Sequence, residues 1–595
     1  MNSATSLIFM FMAQANNKGN KPFLWSKKNG VYEATTWQYA AKIVTNIASK
    51  LLDLGIKKGD RIVLCSENRT EWVLSNLAIM ASGAIPVPAY TTNTVNDHYH
   101  ILQDSGAKSA IFSNDKILKN LLPAAEREKG VKFLLSIDDP QETINSEIKI
   151  HSWKQLSKSD NNENSAVTEI ISKLTKKDTA IIIYTSGTGG VPKGVMLPHR
   201  AIIHNCQGAF NAIEELGLDD EVFLSFLPLS HSYEYTAGLW FPIFIGAQIY
   251  FAEGLDQLSR NMGEARPTIM TAVPRLYELM HAKITKSIKS SGGLKEIMFL
   301  KTVELGIKKY HKVETLSVLE VFLDYLLDKI IRNKVRKNFG GRLKVLVSGG
   351  APLNTDIGIF FTALGLNLLQ GYGQTESAPV ISVNRPGHVK METVGTPLIN
   401  TDVKIADDGE ILVRGDLIMS GYWNNDEATK NTIKDGWLHT GDIGTIDQHN
   451  FIEITDRKKD IIVNSGGDNI SPQRVEGFLT LEPEIAQAMV YGDKKSHIVA
   501  LIIPDIDFLN EWKQKTGNEA NGEILEEDKF HQEISAAVDR VNKNLSVIER
   551  VRRFHISSEG FTVENEMITP TLKVRRHKII EKYQDDLENL YSNKS

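Results

Sequence analysis

Residues 181–200 read IIIYTSGTGGVPKGVMLPHR, a stretch that joins an apolar strand pattern to a loop of small and hydroxyl residues. The β-branched side chains of isoleucines 181–183 suit a buried strand in a sheet that is covered on both faces. The loop that follows leaves backbone amides uncovered, supplies hydroxyl donors and permits dihedral angles that residues with a Cβ avoid. This composition predicts a binding site for a polyanion.

The residues after the loop add a positive charge and the start of a helix. Lys193 contributes a fixed cation, and RAIIHNCQGAFNAI after His199 places apolar residues at helical spacing. We therefore expect the order strand, phosphate loop, helix. The loop is not a Walker A motif, because that motif needs Gly before its Lys, whereas Lys193 follows Pro192. A Gly-rich turn without a ligand stays the alternative, since glycine mostly punctuates loops.

The pattern YTSGTxGxPKG at residues 184–194 strongly resembles the signature of the adenylate-forming superfamily, which includes acyl-CoA synthetases, amino-acid adenylation domains and luciferases. Gly189 stands where this family usually has a second Thr, so one hydroxyl donor to the phosphates is missing. The resemblance implies that the loop binds ATP and that Thr188 and Lys193 act in catalysis. The implied ATP-binding residues are Thr185, Ser186, Gly187, Thr188 and Lys193.

Length and composition limit the class of protein. A chain of 595 residues exceeds what one hydrophobic core usually organises, so we expect at least two domains. The 42% hydrophobic and 24% charged residues are typical of a soluble globular protein. A net charge of -5 gives no general attraction to nucleic acid, and we predict no nucleic-acid partner.

The cysteines and the N-terminus predict a cytoplasmic protein. Cys65 and Cys206 lie in apolar settings and match no metal-ligand or redox spacing, so we expect reduced, buried thiols. The apolar run at residues 7–12 is too short for a membrane span and lacks the basic region that precedes a signal sequence core.

Alternating helix and strand patterns predict an α/β fold. Residues 1–110 have the alternation typical of a domain with parallel strands, and residues 395–455 carry several strand patterns typical of a small β subdomain. We predict a large N-terminal domain over residues 1–456, made of α/β subdomains and this β subdomain. A small, mobile α/β domain follows over residues 457–595.

Residues 223–251 form an apolar segment interrupted by a short polar island around His231. A lone histidine in such surroundings is more often a hydrogen-bonded core residue than a catalytic one. LPLSHSYEY, however, resembles the Pro-x-x-His segment of long-chain acyl-CoA synthetases, which implies that His231 lies beside the acyl carboxylate. Glu234 is the only acid between Phe226 and Tyr250, so unless it binds an amine, the aromatic wall suits a hydrocarbon tail.

Residues 343–379 read as a strand, loop, helix, strand, loop unit, with LKVLVSGGAPLN at one end and LNLLQGYGQTESAP at the other. Both loops should emerge at the carboxyl edge of a sheet, where ligands bind in open α/β folds. By resemblance, Tyr372 stacks on adenine, Thr375 contacts the α-phosphate, and Glu376 acts in catalysis as the ligand of Mg2+. The other implied nucleotide-binding residues are Gly350, Ala351, Pro352, Gly371 and Gly373.

Three further motifs supply charged residues. By resemblance, Asp442 of HTGDIG binds the ribose hydroxyls, and Arg457 of DRKKDIIVNSGGDNISP contacts ribose or phosphate. Lys459 falls at the family's hinge position, and Gly466 lies on the loop expected near the pantetheine of coenzyme A. Lys573 of TPTLK resembles the family's essential C-terminal catalytic lysine. Solvated surface positions are the alternative for each lysine taken alone.

A long helical region extends over residues 278–340, and its second half is amphipathic. Phe322, Leu326 and Ile330 share one side, and a basic cluster follows at residues 334–337. Two interpretations stay open: the helix packs on its own protein, or it makes peripheral contact with a membrane on the cytoplasmic side.

The resembling motifs extend from about Thr35 to Lys578 in the family's order. They imply an ATP-dependent long-chain fatty acid–CoA ligase that uses ATP, Mg2+ and coenzyme A. A fatty acid would first form acyl-AMP and pyrophosphate, and coenzyme A would then replace AMP. The alternatives are an acyl-AMP ligase that loads a carrier protein, or a protein that binds acyl groups or nucleotide without turnover. The sequence fixes neither the acyl chain length nor the oligomeric state.

Overall fold

A computed structural model describes residues 4–141, 145–158, 165–185, 191–311, 316–458, 460–466, 468–516, 524–525, 527–569 and 574–592. The α-helices are α1 (Leu7–Lys18), α2 (Trp37–Asp53), α3 (Thr70–Ala81), α4 (Val95–Ser105), α5 (Asp115–Arg127), α6 (Trp153–Ser157), α7 (Ser165–Lys173), α8 (His199–Ile213), α9 (Phe241–Ile245), α10 (Leu258–Ala265), α11 (Pro274–Ser291), α12 (Gly293–His311), α13 (Val318–Leu327), α14 (Asn333–Asn338), α15 (Thr355–Ala363), α16 (Asp426–Thr432), α17 (Pro472–Leu479), α18 (Ile506–Thr516), α19 (Asp528–Asn542) and α20 (Arg576–Asn589).

The strands alternate with these helices along most of the chain. They are β1 (Pro22–Lys28), β2 (Val31–Thr36), β3 (Arg61–Cys65), β4 (Ile85–Ala89), β5 (Ser109–Phe112), β6 (Phe133–Ser136), β7 (Lys149–Ser152), β8 (Thr179–Thr185), β9 (Lys193–Pro198), β10 (Val222–Ser225), β11 (Gln248–Phe251), β12 (Ile269–Ala272), β13 (Val345–Ser348), β14 (Leu368–Gly373), β15 (Val380–Val383), β16 (Thr396–Pro397), β17 (Thr401–Ile405), β18 (Glu410–Gly415), β19 (Gly421–Tyr422), β20 (Ile433–Lys434), β21 (Trp437–Ile446), β22 (Ile452–Arg457), β23 (Ile462–Val463), β24 (Asn469–Ile470), β25 (Ile485–Tyr491), β26 (Ile498–Pro504) and β27 (Val551–Ile556).

Two large sheets form the body of the N-terminal domain. One has the order β4-β3-β5-β6-β7 with every pair parallel, as the alternating patterns near the N-terminus predict. The other has the order β16-β15-β14-β13-β12-β10-β11-β1-β2, and its strands from β1 to β14 are parallel apart from the β1–β2 hairpin. Because β12, β13 and β14 run in the same direction, the loops after them emerge along one edge.

The strand that precedes the phosphate loop belongs to a third, smaller sheet. Isoleucines 181–183 of β8 are buried as predicted. The expected order of strand, loop and helix is wrong in one respect, because β9 lies between the loop and α8 and pairs antiparallel with β8. Lys193 therefore begins a strand whose first residue pairs with Thr185. Val195 and Leu197, which alternate along β9, complete a buried surface that sequence periodicity over six residues did not reveal.

The predicted strand-loop-helix-strand-loop unit is present in the second large sheet. Parallel strands β13 and β14 flank α15. Asn354 caps the N-terminus of α15, because its side chain accepts from the backbone N–H groups of Asp356 and Ile357. Gly350 in the first loop has a φ of 84°, a left-handed conformation that glycine adopts without a Cβ clash. The second loop continues into a short 3-10 helix, Thr375–Ser377.

Strands β17, β18, β20, β21 and β22 form the predicted small β subdomain. The C-terminal domain contains the sheet β25-β26-β27 with helices α17, α19 and α20, and its own hydrophobic core includes Val475, Ile502 and Val538. The predicted α/β class, with a large N-terminal and a small C-terminal domain, is confirmed. Its boundary after residue 456 and the mobility of the second domain stay predictions.

Among the described helices, none combines the length and the apolar character that crossing a membrane requires. Cys65 and Cys206 are free and buried, as predicted, and burial raises the pKa of both thiols well above the usual value.

Candidate active site

A cavity of about 2790 Å³ lies where the sheet edges of the N-terminal domain face the C-terminal domain. The two domains touch beside it, because Arg275 at the start of α11 donates to the backbone oxygen of Ala486 over 3.2 Å. Residues from both domains line this cavity. It brings together most of the described residues that the motifs single out, namely Thr185, Lys193, His231, Gly350, Ala351, Pro352, Gly371, Tyr372, Gly373, Thr375, Glu376, Asp442 and Arg457.

Several predicted residues lie outside the part of the chain that the structure describes. They are Ser186, Gly187, Thr188, Lys459 and Lys573. Their predicted roles therefore rest on the sequence motifs. Thr185 and Lys193, which flank the first three, are described and mark the two ends of the predicted phosphate loop.

Glu376 and Lys193 meet at the ring of Tyr422. The Tyr422 hydroxyl donates to Oε1 of Glu376 over 2.8 Å, and Nζ of Lys193 lies 5.2 Å from the centre of the same ring. Burial, and then the Glu376 carboxylate, raise the pKa of Tyr422 well above its usual value, so the phenol stays a hydrogen-bond donor. Tyr422 thus contacts both Lys193 and Glu376 at the end of the cavity beside the predicted phosphate loop, which we call the phosphate end.

Asp442 links Tyr372 and Arg457. It lies in strand β21, and only 3% of its surface is exposed. Its Oδ2 accepts from the Tyr372 hydroxyl over 2.6 Å, and its Oδ1 accepts from Nε of Arg457 over 2.9 Å. The β21–β22 register places Asp442 directly opposite Arg457. A buried carboxylate can accept from ribose hydroxyls, and an aromatic ring beside it suits a purine, so the pair has the chemistry that a nucleoside requires.

We expect Asp442→Asn to raise the KM for ATP by about 10- to 100-fold. A hydrogen bond to a charged acceptor contributes about 1.5 to 3 kcal/mol, and the variant removes the charge that the ribose hydroxyls would meet. Steady-state kinetics with varied ATP measures the effect. The matched control is Asp402→Asn, since Asp402 makes a similar cross-strand pair with Arg414 at 2.8 Å on the exposed part of the same sheet. An unchanged KM for ATP in the Asp442 variant would contradict the ribose assignment.

The segment around His231 contacts the phosphate end of the cavity through Ser232, the residue after His231. His231 is half-buried at the start of a π-helical turn, Glu234–Trp240, and its Nδ1 accepts from the backbone N–H of Tyr233 over 3.3 Å. The Ser232 hydroxyl lies 3.0 Å from the Thr375 hydroxyl. This contact joins the predicted carboxylate-binding segment to the residue predicted to contact the α-phosphate.

Apolar residues from the π-helical turn and from the elements packed on it, α8, α9, β10 and β12, line the part of the cavity that we call the apolar branch. Within the predicted aromatic wall, Phe241 lines the cavity, whereas Trp240 and Phe244 are buried in the core outside the lining. A branch with such walls excludes charged groups and suits a hydrocarbon chain. Its walls include Ala209, Ala212, Phe223, Ala237, Phe241 and Ile269.

Glu234 is fully buried behind this branch and does not line the cavity. Its Oε2 accepts from the Thr271 hydroxyl over 2.8 Å, and a Cβ placed on Gly238 would overlap its carboxyl group. Burial raises the pKa of Glu234 to about 7, although the hydroxyls of Ser225 and Thr271 oppose the shift. The buried position argues against a role in pairing with a substrate amine, the one alternative that the sequence left for this acid.

We expect Glu234→Gln to be less sensitive to alkaline pH than the wild type. The folded protein holds the pKa at about 7 and an unfolded chain at about 4.3, so the native state binds the extra proton and stability falls as pH rises between these values. The free energy of unfolding of the wild type should therefore fall by about 2 kcal/mol between about pH 5.5 and 8.5, and that of the variant should not show this fall. Thermal unfolding at both pH values measures this difference. Glu33→Gln, at an exposed glutamate, is the control, and identical pH profiles for all three proteins would contradict the prediction.

Gly466 is placed differently from the other predicted residues. It lies on an exposed turn in which its N–H and that of Asp468 both donate to Oδ1 of Asn464 over 2.9 Å. It is not among the residues that line the cavity. Its assignment to coenzyme A therefore stays a prediction for another arrangement of the domains.

The structure adds Tyr422 and Ser232 to the site. Ser232 lies in the motif LPLSHSYEY without a predicted role, and Tyr422 lies outside the motifs. Both contact residues far away in the chain, Thr375 and Glu376. For Ser232 the signal was its position next to His231. For Tyr422 the sequence carried no usable signal, because the residue reaches the site only through the pairing of β19 with β9.

The residues that line the cavity suit Mg2+ that binds together with substrate phosphates, and not Mg2+ held by protein ligands alone. Within the described residues, no group of three or more His, Cys, Asp or Glu side chains could hold a metal. Mg2+ commonly keeps several waters and binds through one or two carboxylates plus substrate phosphates, and Glu376 provides one such carboxylate at the phosphate end.

Comparisons with known proteins agree with this geometry. The model of the AMP-binding enzyme family matches residues 11–423, and that of the AMP-binding enzyme C-terminal domain matches residues 459–595. The long-chain-fatty-acid–CoA ligase FadD15 of Mycobacterium bovis is 32% identical over 95% of this chain and 93% of its own. Fatty acyl-CoA synthetase A of Dictyostelium discoideum is 30% identical over 98% of this chain and 89% of its own.

Solved structures share the fold. The A domain of carboxylic acid reductase from Segniliparus rugosus, determined with AMP and a co-purified carboxylic acid, aligns with a TM-score of 0.75 at 20% identity, over 99% of this chain and 94% of that one. The anthranilate CoA ligase AuaEII aligns with a TM-score of 0.71 at 19% identity, over 98% of both chains. The chain therefore belongs to the AMP-binding enzymes, the adenylate-forming superfamily, and within it resembles the long-chain fatty acyl-CoA ligases.

Proposed function

We propose that this protein is a long-chain fatty acid–CoA ligase that forms acyl-AMP and pyrophosphate from a fatty acid and ATP, and then acyl-CoA and AMP. One observation carries the proposal: the Ser232–Thr375 hydroxyl contact of 3.0 Å joins an apolar branch to the phosphate end of one cavity. An acyl carboxylate at this junction would lie next to the α-phosphate of a nucleotide held by Tyr372 and Asp442. Curated relatives that carry this activity in their names match nearly the whole chain.

In the first half-reaction the acyl carboxylate attacks the α-phosphorus, and the bond to pyrophosphate breaks. No proton needs to move, because the carboxylate is already ionised. Negative charge spreads over phosphate oxygens in the transition state, and cations placed beforehand stabilise it. Lys193 and Lys573 are the proposed cations, and Thr188 is the proposed hydroxyl donor. Lys193 and Glu376 both contact Tyr422, which supports a cation and the proposed ligand of Mg2+ meeting the same phosphates.

Glu376 is the proposed protein ligand of Mg2+. The ion, when bound with ATP, supplies positive charge that offsets the charge of the phosphates. The hydrogen bond from Tyr422 leaves the second carboxylate oxygen of Glu376 to meet the ion, and the backbone oxygen of Glu376 accepts from Met419 over 2.9 Å, which holds the loop in place.

In the second half-reaction the thiol of coenzyme A attacks the carbonyl of acyl-AMP and expels AMP. We assign Lys459 as the hinge, Gly466 to the loop that meets pantetheine, and His231 to the neighbourhood of the reacting carboxylate. The exposed turn of Gly466, outside the cavity lining, supports a movement of the C-terminal domain between the two half-reactions. A cytoplasmic location belongs to the proposal and is supported by the two free thiols.

Pyrophosphate release tests the proposal. Full-length protein with Mg-ATP is assayed with fatty acids from short to very long chains, with and without coenzyme A. We expect release to be highest with long chains and acyl-CoA to form only when the thiol is present. Release without thioester would instead indicate an enzyme that loads a carrier protein. Binding of ATP and fatty acid without release at any length would overturn the proposal.

A further inference from the structure

Helix α13 is turned with its apolar side outward. Its side chains Val318 and Leu319 are 87% and 81% exposed, and Phe322 is 62% exposed. Tyr325, Leu326 and Ile330, the last in the π-helical turn Asp328–Arg332, continue the same exposed surface. We call these six residues the outer ridge. A soluble helix normally buries such a side, so this orientation needs a different partner.

The polar side of the helix faces the protein. Asp324 is buried and forms an ion pair with Arg332 at 2.8 Å, in which both side chains are less than 10% exposed. Glu320 pairs with Lys308 of α12 at 3.0 Å and also closes a capping box with Ser317 at the start of the helix. Asp328 accepts two hydrogen bonds of 3.0 Å from Arg336. Contacts with neighbouring helices hold the apolar side outward, because Lys309 of α12 also pairs with Asp324 and Arg332 donates to the backbone oxygens of Thr302 in α12 and Ala363 in α15. Rotating the helix would break these contacts with buried groups.

The neighbouring helix α12 also exposes apolar side chains. Leu294, Ile297 and Leu300 of α12 recur at three-residue spacing, and each is more than half exposed. Exposed apolar residues scattered singly need no explanation, but these side chains come from two packed helices of one region.

The charges around the ridge are positive. Lys329, Lys334 and Lys337 are exposed along the helical segment that continues from the ridge, and Lys295 is exposed on α12. The exposed acid of α12, Glu304, is already paired with Lys301 at 2.7 Å. The whole chain has a net charge of -5, so this cationic rim is a local feature and not a reflection of overall composition.

We propose that the outer ridge docks on the surface of an anionic lipid bilayer, with α13 lying in the interface plane. Ridge side chains would enter the boundary between headgroups and acyl chains, and the lysines would meet lipid phosphates. A second copy of the chain fits less well. In a two-fold dimer the same surface faces itself, so each cationic rim would meet another cationic rim. This property is separate from the ligase reaction, since none of the ridge residues lines the cavity.

Sedimentation with lipid vesicles tests the docking surface. Full-length protein is mixed with vesicles of phosphatidylcholine alone or with about one third phosphatidylglycerol, and the bound fraction is measured at low and high salt. We expect the anionic vesicles to bind at least about tenfold more tightly, and salt to weaken binding. Phe322→Glu should lower binding by about tenfold or more. Val31→Glu places the same charge on a valine that is 66% exposed on strand β2 and should bind like the wild type.

A fluorescent label checks insertion directly. Both native cysteines are buried, so an introduced cysteine takes a thiol-reactive, polarity-sensitive dye selectively. Leu319→Cys carrying the dye should shift to shorter wavelength on anionic vesicles, whereas Val31→Cys should not. Thermal unfolding and pyrophosphate release without vesicles should be unchanged in Phe322→Glu, which separates loss of docking from loss of folding or catalysis.

Three results would overturn the proposal. The wild type could stay in the supernatant with anionic vesicles at low salt, or Phe322→Glu could bind them as tightly as the wild type. In the third result, light scattering shows that the wild type is a dimer and that Phe322→Glu is a monomer, while vesicles bind neither protein. This would indicate that a second copy of the chain covers the ridge.

Discussion

Replacing Glu376 by glutamine should slow fatty-acid-dependent pyrophosphate release by about a hundredfold to a thousandfold. The substitution keeps the shape of the side chain and its contact with Tyr422, but it removes the negative charge that we assign to Mg2+ at the phosphates. Losing one electrostatic contact to a developing charge commonly costs about 3 to 4 kcal/mol in the transition state. Single-turnover release of pyrophosphate, measured over a range of Mg2+ concentrations, gives the effect.

The matched variant for this prediction is Tyr422→Phe. It leaves the carboxylate charged and removes only the hydroxyl that donates to Oε1 over 2.8 Å. We expect a loss of about tenfold to a hundredfold, since one hydrogen bond to a charged group contributes about 1.5 to 3 kcal/mol. If the glutamine variant needed no more Mg2+ than the wild type and released pyrophosphate equally fast, the assignment of Glu376 would be wrong.

Replacing Lys573 by alanine should separate the two half-reactions. We expect adenylation to fall by about a hundredfold to a thousandfold, because the lysine is assigned to the charge that builds on phosphate oxygens. Thioester formation from supplied acyl-AMP and coenzyme A should continue at nearly the wild-type rate, since no phosphate charge builds in that step. Pyrophosphate release measures the first reaction, and loss of supplied acyl-AMP with formation of acyl-CoA measures the second.

A lysine nearby provides the control. Lys578 in α20 lies 3.4 Å from Glu581 on an exposed surface, so Lys578→Ala removes an equal charge near the same end of the chain. This variant should carry out both half-reactions normally. Equal loss of both half-reactions in Lys573→Ala would indicate a role in folding or in acyl-AMP binding instead of in adenylation.

The parts of the fold that sequence predicted are those whose pattern and chemistry lie close together in the chain. The unit from β13 to the 3-10 helix at Thr375 shows this, because each strand is a short apolar run that ends in glycine or hydroxyl residues. The buried run of isoleucines 181–183 is a second example. Local patterns of this kind also carry the resemblance to the family, so fold class and activity followed from the same residues.

The parts that sequence did not predict depend on contacts between distant segments. Strand β9 is six residues long and was hidden between a glycine-rich loop and a helix, and it gains its stability from pairing with both β8 and β19. Tyr422 reaches Glu376 through that same pairing. Helix α13 shows a related limit: periodicity identified Phe322, Leu326 and Ile330 as one face, but only its ion pairs with α12 decide that this face points outward.

The register that sets Asp442 opposite Arg457 bears on how an intermediate survives between two reactions. Strand β22 ends at Arg457, one residue past the predicted domain boundary, so Arg457 belongs to the β subdomain and the chain leaves this sheet directly after the predicted ribose site. Any rotation beyond that point leaves Asp442 and Arg457 in their hairpin, with Asp442 still bonded to Tyr372 of strand β14. We therefore expect acyl-AMP to stay anchored by its sugar while the other domain changes place, which would protect a hydrolysable mixed anhydride from escape into water.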